Sequence, residues 1–298
     1  MSTYTDAQYY DASAYWAAPT RNFRTSARLH LQHFLHQHTV GHTLDPRIES
    51  SVVGSQSLKI ADLGCGNGMW LVDLDTELSK KGISAQLDGY DINPINFPAS
   101  AYLPEAVSLK QLDVLAKPVP AEMVGVYDVV HIKGFTSIVI NSDVTPLLSM
   151  AITILKPGGW LQWEDVRSDR FLAESPSPEI GKTACDTMLQ IVMAGTTARG
   201  LKGDWLEVLD RHLEEHGLED VHLQIYESRK QDLKAWTEDY LMVLEELHVL
   251  FPSQKKMPQA PMTAEGWIDL FSKVVKETEQ GVVIHQGRIV AGIGRKAL

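Results

Sequence analysis

Cysteine is scarce: only Cys65 and Cys185 occur in 298 residues. Two thiols so far apart in sequence build neither a disulfide framework nor a zinc site, and they point to a reducing compartment. The opening segment MSTYTDAQYYDASAYW lacks the basic start and apolar stretch of a signal peptide. No run of about 18 apolar residues is present to span a bilayer, so a cytoplasmic protein is expected. Positive charge is also in short supply, with 27 Lys and Arg against 38 Asp and Glu and a formal net charge of −11. That balance excludes nucleic acid and anionic membrane as natural partners, since both demand concentrated Lys and Arg. A small molecule remains. Apolar types at 44% and charged types at 22% are ordinary for a folded chain, which excludes disorder as its main character.

Short β-type runs alternate with helical patterns from about residue 58 to 166, the mark of βαβ units and a parallel sheet. The run Leu58-Lys59-Ile60-Ala61-Asp62-Leu63 reads as a first strand. Leu71, Leu74 and Leu78 fall at helical spacing, with Lys80 and Lys81 in the last turn and Gly82 as the stop. Further strands are predicted over 85–91, 107–112 and 126–132. A helix opens at Pro146 and runs to Leu155, then a Pro157-Gly158-Gly159 turn leads into a fifth strand, Trp160 to Val166. Beyond it the spacing predicts two helices within 178–217, a strand over 221–226, helices over 233–250 and 263–280, and a closing strand over 287–295. The first 50 residues read as mainly helical, from Thr25 to about His38. The expectation is one domain over 1–298. Its core lies at 58–166, and helical lid segments are expected from 1–50 and 170–280.

The most informative stretch is Asp62-Leu63-Gly64-Cys65-Gly66-Asn67-Gly68, between the first strand and its helix. Glycines there permit a tight turn with positive φ and let backbone amides approach a bound group closely. The nicotinamide fingerprint G-x-G-x-x-G does not fit, because the third glycine comes one position early and Met69 stands in its place. A phosphate-binding P-loop is excluded by the missing Gly-Lys-Ser/Thr. An acid just before the glycines repels a pyrophosphate but suits a ligand with a positive ammonium group.

Asp-x-Gly-x-Gly-x-Gly in this place resembles motif I of the class I S-adenosylmethionine-dependent methyltransferases. Asp91 at the tip of the second strand, with Ile92 after it, resembles the acid that takes the ribose hydroxyls. Asp113-Val114 resembles the acid and neighbour that meet the adenine. Tyr127-Asp128-Val129-Val130-His131 and Leu155-Lys156-Pro157-Gly158-Gly159 resemble the fourth-strand and pre-fifth-strand segments. The resemblance covers about residues 58–166. It implies a Rossmann-like, mostly parallel sheet with an antiparallel last strand and an added helical lid. S-adenosylmethionine is the implied cofactor, held by Asp62, Gly64, Gly66, Asn67, Asp91, Ile92, Asp113, Val114 and His131. Arg28-Leu29-His30-Leu31-Gln32-His33 and Leu161-Gln162-Trp163-Glu164 are similar to segments of fungal secondary-metabolite methyltransferases.

Methyl transfer from a sulfonium asks chiefly for alignment, and orientation alone supplies ~7–11 kcal/mol. A base adds ~10²–10⁴-fold where the acceptor carries a proton. Glu164 and His33 are the candidate catalytic residues. Glu164 and Asp165 face opposite sides of the fifth strand, so one of them points toward the pocket. Trp160, Trp163 and Phe135 are candidate lining for an aromatic acceptor. Five histidines between residues 30 and 42 advance around a helix without a Cys, Asp or Glu to complete a shell, and read as surface histidines of a lid helix with no metal. A small metabolite methylated at oxygen or nitrogen is the expected acceptor. A same-fold rearrangement or cyclisation without methyl transfer, and a non-enzymatic binding module, are the competing readings.

Overall fold

The computed structural model describes residues 23–52, 57–167 and 169–298. The strands are β1 (Leu58–Leu63), β2 (Ala85–Asp91), β3 (Val107–Gln111), β4 (Tyr127–Lys133), β5 (Leu155–Val166), β6 (Leu172–Glu174), β7 (Leu218–Glu227), β8 (Val283–His285) and β9 (Arg288–Lys296). Among the described residues, seven of them form one sheet in the order β3-β2-β1-β4-β5-β9-β7. Its first five strands run parallel, and β9 inserts antiparallel between β5 and β7. The chain builds outward from β1 to β3, then returns to place β4 against β1. That reversal makes the carboxyl ends of β1 and β4 the topological switch point, where ligands of such sheets bind.

The sheet is covered on both faces because its central strands are apolar on both. Leu58 and Ile60 of β1 pack with Trp70, Leu71, Leu74 and Leu78 of α3 (Met69–Lys80) and with Ile48 and Val52 of α2 (Pro46–Val52). Ala61 and Leu63 point the other way, toward Leu147, Leu148 and Ala151 of α4 (Thr145–Ile154) and Leu209 and Leu213 of α6 (Leu209–Glu215). A third cluster joins α1 (Phe23–Val40), α5 (Thr183–Ala198), α7 (Leu233–Glu246) and α8 (Ala264–Glu279) around Trp236, Trp267, Met188 and Leu189. This cluster is the helical layer anticipated outside the sheet. The part of the expected lid before residue 23 lies outside the described residues.

Two features depart from expectation. Strand β5 begins at Leu155, so Pro157-Gly158-Gly159 forms an irregularity within the strand and not a turn before it. Tyr127 pairs with Leu155 and Val129 with Trp160, and Lys156 donates to both oxygens of Asp128 at 2.7 and 2.8 Å. The second is a small antiparallel sheet of β6 and β8. Three residues per strand are too few to show a period of two.

Gly89 marks the tightest contact between β2 and its neighbours. A Cβ there would stand 2.5 Å from Leu109 Cδ2, 2.8 Å from Leu71 Cδ1 and 2.9 Å from Cys65 Sγ. Gly89→Ala is therefore expected to destabilise the fold by ~1–3 kcal/mol through overpacking, read as a lower urea midpoint with an unchanged slope.

Candidate active site

The glycine loop after β1 is fastened to the end of β2. Gly64 and Cys65 donate their amides to the Tyr90 carbonyl at 2.7 and 3.0 Å, and Gly66 donates to Asp91 Oδ2 at 2.9 Å. Asp91 Oδ1 also accepts from the Asn93 amide at 2.9 Å. Gly64 and Gly68 have φ of 73° and 76°, a region that side chains disfavour. Space forbids a side chain at both as well: a Cβ on Gly64 would lie 2.4 Å from Phe135, and one on Gly68 2.8 Å from Leu109. The loop is thus a tight glycine turn at the carboxyl end of the sheet, and its Gly64, Cys65, Gly66 and Gly68 amides are bonded within the protein. Cys65 is buried within it, and burial pushes its thiol up, leaving it inert.

Beside the turn runs a polar row. Register pairs Asp62 of β1 with His131 of β4, His131 with Gln162 of β5, and Lys133 with Glu164. His131 Nδ1 lies 2.7 Å from Asp62 Oδ1, and its Nε2 lies 3.9 Å from Glu164 Oε2. Gln162 donates to Glu164 Oε1 at 2.8 Å and to the Thr43 carbonyl at 3.0 Å, and accepts from the Asp45 amide at 2.8 Å. The His131 ring stacks on Trp70 with centroids 3.8 Å apart and planes 3° from parallel. Burial opposes charge on His131, but Asp62 and Glu164 outweigh it, so the imidazole titrates above its ordinary value. Glu164 shows the converse. Burial raises it, yet His131 and Lys133 overcome that and hold it down at about 2.

Helix α1 lies over this region. Leu29 faces Gly66, at 3.3 Å from the position of a Cβ there. Asn67 Nδ2 lies 3.1 Å from His30 Nδ1, and His33 Nε2 lies 2.7 Å from Asp73 Oδ2 on α3. His33 and His36, expected on the surface, are buried instead. Burial first, then the Lys133 charge, lowers His33 to about 4 and His36 to about 3. Both are neutral at pH 7. The reason is packing: α1 is buried on one side by the sheet and α3, on another by α7. Among the described residues no group of His, Cys, Asp and Glu is arranged to hold a metal ion.

The other expected residues distribute as follows. Glu164 faces the Asp62 and His131 side, while Asp165 faces the opposite side and accepts from the Phe135 amide at 2.7 Å. Asp113 is exposed at the end of β3 and accepts from the Leu115 amide at 2.9 Å. Val114 is buried in the α4-side core and Ile92 is half-buried behind Asp91. Trp160 and Trp163 do not line a pocket: Trp160 packs with Ile60, Val129 and Ile293, and Trp163 lies 5.0 Å from Trp205 in the core. Sequence reasoning passed over Trp70, Lys133 and Gln162. Lys133 and Gln162 each stand two residues from a chosen candidate on the same strand, and the period of two would have found them.

The sign of one pH effect follows. A pKa raised by folding stabilises most below the unfolded value of about 6.5 and loses that contribution as pH rises through the folded value. His131→Asn leaves Asp62 buried without its cation and is expected to cost ~3–5 kcal/mol at pH 6. The gap to the parent should narrow as pH rises through the folded value, where the parent imidazolium gives up its proton; urea titrations across that range measure it.

No family model matches the chain. It is 29% identical to Methyltransferase grgD of Penicillium sp over 223 residues, 73% of this chain and 74% of that one. It is 29% identical to N-methyltransferase tcpN of Claviceps purpurea over 49% of this chain and 50% of the relative. A third relative, N-methyltransferase gliN of Aspergillus fumigatus, is 32% identical over 37% of this chain and 36% of its own length. The chain thus spans about three-quarters of the first relative and half or less of the other two. With its strand order and these relatives, the chain is an S-adenosylmethionine-dependent methyltransferase of the class I fold, akin to fungal secondary-metabolite methyltransferases.

Proposed function

We propose that the chain transfers the methyl group of S-adenosylmethionine to an oxygen or nitrogen of a small metabolite. The observation that carries this reading is the glycine turn of Gly64, Gly66 and Gly68, tied to the end of β2 at Tyr90 and Asp91 beside the switch point between β1 and β4. The residues fit that cofactor. Asp91, at the tip of β2, would take ribose hydroxyls. Asp113, exposed at the β3 end, would accept from the adenine amino group, with Ile92 beside it. Asn67 would hold the amino-acid end, with Asp62 supplying negative charge against its ammonium. Val114 belongs to the core behind Asp113 and acts only through packing.

The cofactor supplies an already activated methyl and leaves as a neutral thioether. The protein's task is then to orient the acceptor and keep water out. Glu164, held ionised at about 2, is too weak a base to take a proton at neutral pH. Its part is to fix His131 and Lys133. His33 is neutral at pH 7, but its Nε2 is committed to Asp73. Alignment, and not proton abstraction by Glu164, therefore carries most of the rate. The printed activities of two relatives favour nitrogen as the methylated atom.

Calorimetry with S-adenosylhomocysteine tests the site. Asp91→Ala is expected to weaken binding at least about tenfold through the loss of two charge-assisted hydrogen bonds, and to lower the melting temperature of the free protein, because the Gly66 and Asn93 amides lose their acceptor. Binding unchanged by that substitution overturns the reading. With S-adenosylmethionine and a turned-over acceptor, product heavier by one methylene marks transfer, and unchanged mass marks rearrangement.

A further inference from the structure

The carboxyl end of β5 carries two neighbouring acids, and Glu164 alone of the two belongs to the polar row. Asp165 is fully buried on the other face. Its Oδ2 accepts from the Phe135 amide at 2.7 Å and the Trp163 indole N–H at 3.3 Å, and its Oδ1 from the Val166 amide at 3.0 Å. The Thr136 hydroxyl donates to it as well. Burial pushes this carboxyl up to about 6, so at pH 7 it is chiefly ionised and only accepts, which matches four donors.

Two of those donors, Phe135 and Thr136, begin the loop that leads from β4 to α4. Gly134 turns the chain there with φ of 77° and donates its amide to the Glu164 carbonyl at 3.2 Å. The far end of the loop is held from outside too. Asn141 and Ser142 are left-handed, with φ of 53° and 59°, a conformation that residues other than glycine keep only where neighbours impose it. Asn141 donates its amide to the Gly200 carbonyl at 2.7 Å, and Ser142 Oγ donates to Asp204 Oδ1 at 2.7 Å. What the held loop delivers is the Phe135 ring. It is buried, and its Cζ lies 2.5 Å from where a Cβ on Gly64 would stand. Gly64 is thus kept between that ring and the Tyr90 carbonyl, which takes its amide.

We propose that Asp165 and Phe135 are positioning residues for the cofactor: Asp165 seats the start of the β4–α4 loop, and the ring so seated keeps the Gly64 turn in the shape that binds S-adenosylmethionine. Asp165 acts through Phe135, and Phe135 through Gly64. The physical need comes from the glycines, which populate more backbone states than other residues and do not select one shape unaided. A turn that holds the binding shape for only part of the time binds more weakly in proportion to that part. This deepens the methyltransferase reading of the same site and rests on it for the identity of the ligand.

Three substitutions test the chain of contacts. Phe135→Leu removes the ring atoms nearest Gly64 and stays apolar. Asp165→Asn keeps the anchor's shape but turns an amide N–H toward groups that donate. Leu213→Val, in the same apolar cluster but packed against Gly292 of β9, is the control for lost packing alone. Affinity for S-adenosylhomocysteine is measured by calorimetry at pH 7, below the melting transition of each variant. Amide hydrogen exchange of residues 63–68 is followed in the free proteins. Phe135→Leu and Asp165→Asn are each expected to weaken binding at least about fivefold, by lowering the fraction of turns in the binding shape, and to speed exchange across the turn. Leu213→Val is expected to lower the melting temperature, yet to leave affinity within about twofold and the turn's exchange unchanged, since distant openings are independent. The double variant D165N/F135L should bind as Phe135→Leu does, because residues acting in series are not additive. Asp165→Asn, isosteric with the parent, carries the comparison if Phe135→Leu does not melt cooperatively. Parental affinity in the tested variants, an equal loss in Leu213→Val, or additive losses in the double variant overturns the proposal. A parent that binds no S-adenosylhomocysteine refutes the methyltransferase reading and the proposal with it, whereas a parent that binds beside unaffected variants refutes the proposal alone.

Discussion

A buried carboxylate at the end of the first strand must have a cation, and β4 supplies it. Asp62 and His131 face each other across neighbouring parallel strands, 2.7 Å apart, with Glu164 on the far side of the imidazole and Trp70 stacked on its face. Three elements are thereby bound to one ring: two strands through their acids and α3 through its indole. Lys133 and Gln162 extend the same row along one face of the sheet's carboxyl edge. The glycine turn is the continuation of β1, and its position depends on this row remaining intact.

Much of this arrangement was legible in the chain before any coordinates. Alternating apolar runs placed β1 to β4 within a residue or two, because buried parallel strands tolerate little else. The Asp62-to-Gly68 segment announced a strand–turn–helix junction, since glycine at three alternating positions has few other uses. Elsewhere the signal was local and the cause was not. Pro157-Gly158-Gly159 reads as a turn until the approach of the Asp128 carbonyl, 3.0 Å from where a Gly159 Cβ would be, shows why a strand needs glycine there. The histidines of α1 read as surface residues because a period of three drifts around a helix. Their burial comes from two neighbours on different sides, α3 and α7, which no window along the chain contains. Tryptophans 160 and 163 were assigned to a pocket by type, whereas alternation along β5 sends them into two separate cores.

The electrostatics divide the polar interior into two kinds of place. In the row of Asp62, His131, Lys133 and Glu164 acids and bases face one another, and the titrations move apart accordingly: His131 up, Glu164 down. Such networks orient groups and resist change. Between α1 and α7, Asp239 has no hydrogen-bond partner, and burial, partly offset by Arg28, governs its protonation. The first pattern suits a scaffold that holds a loop in shape, and the second leaves a helix contact in which buried polar groups weaken the packing.

Helix α1 touches both places. Leu29 and His30 rest on the glycine loop, and four residues of the same helix meet α7. One helix of eighteen residues thus bears on both the glycine loop and the outer helical layer, so a substitution on α1 that loosens its seat on one is felt at the other.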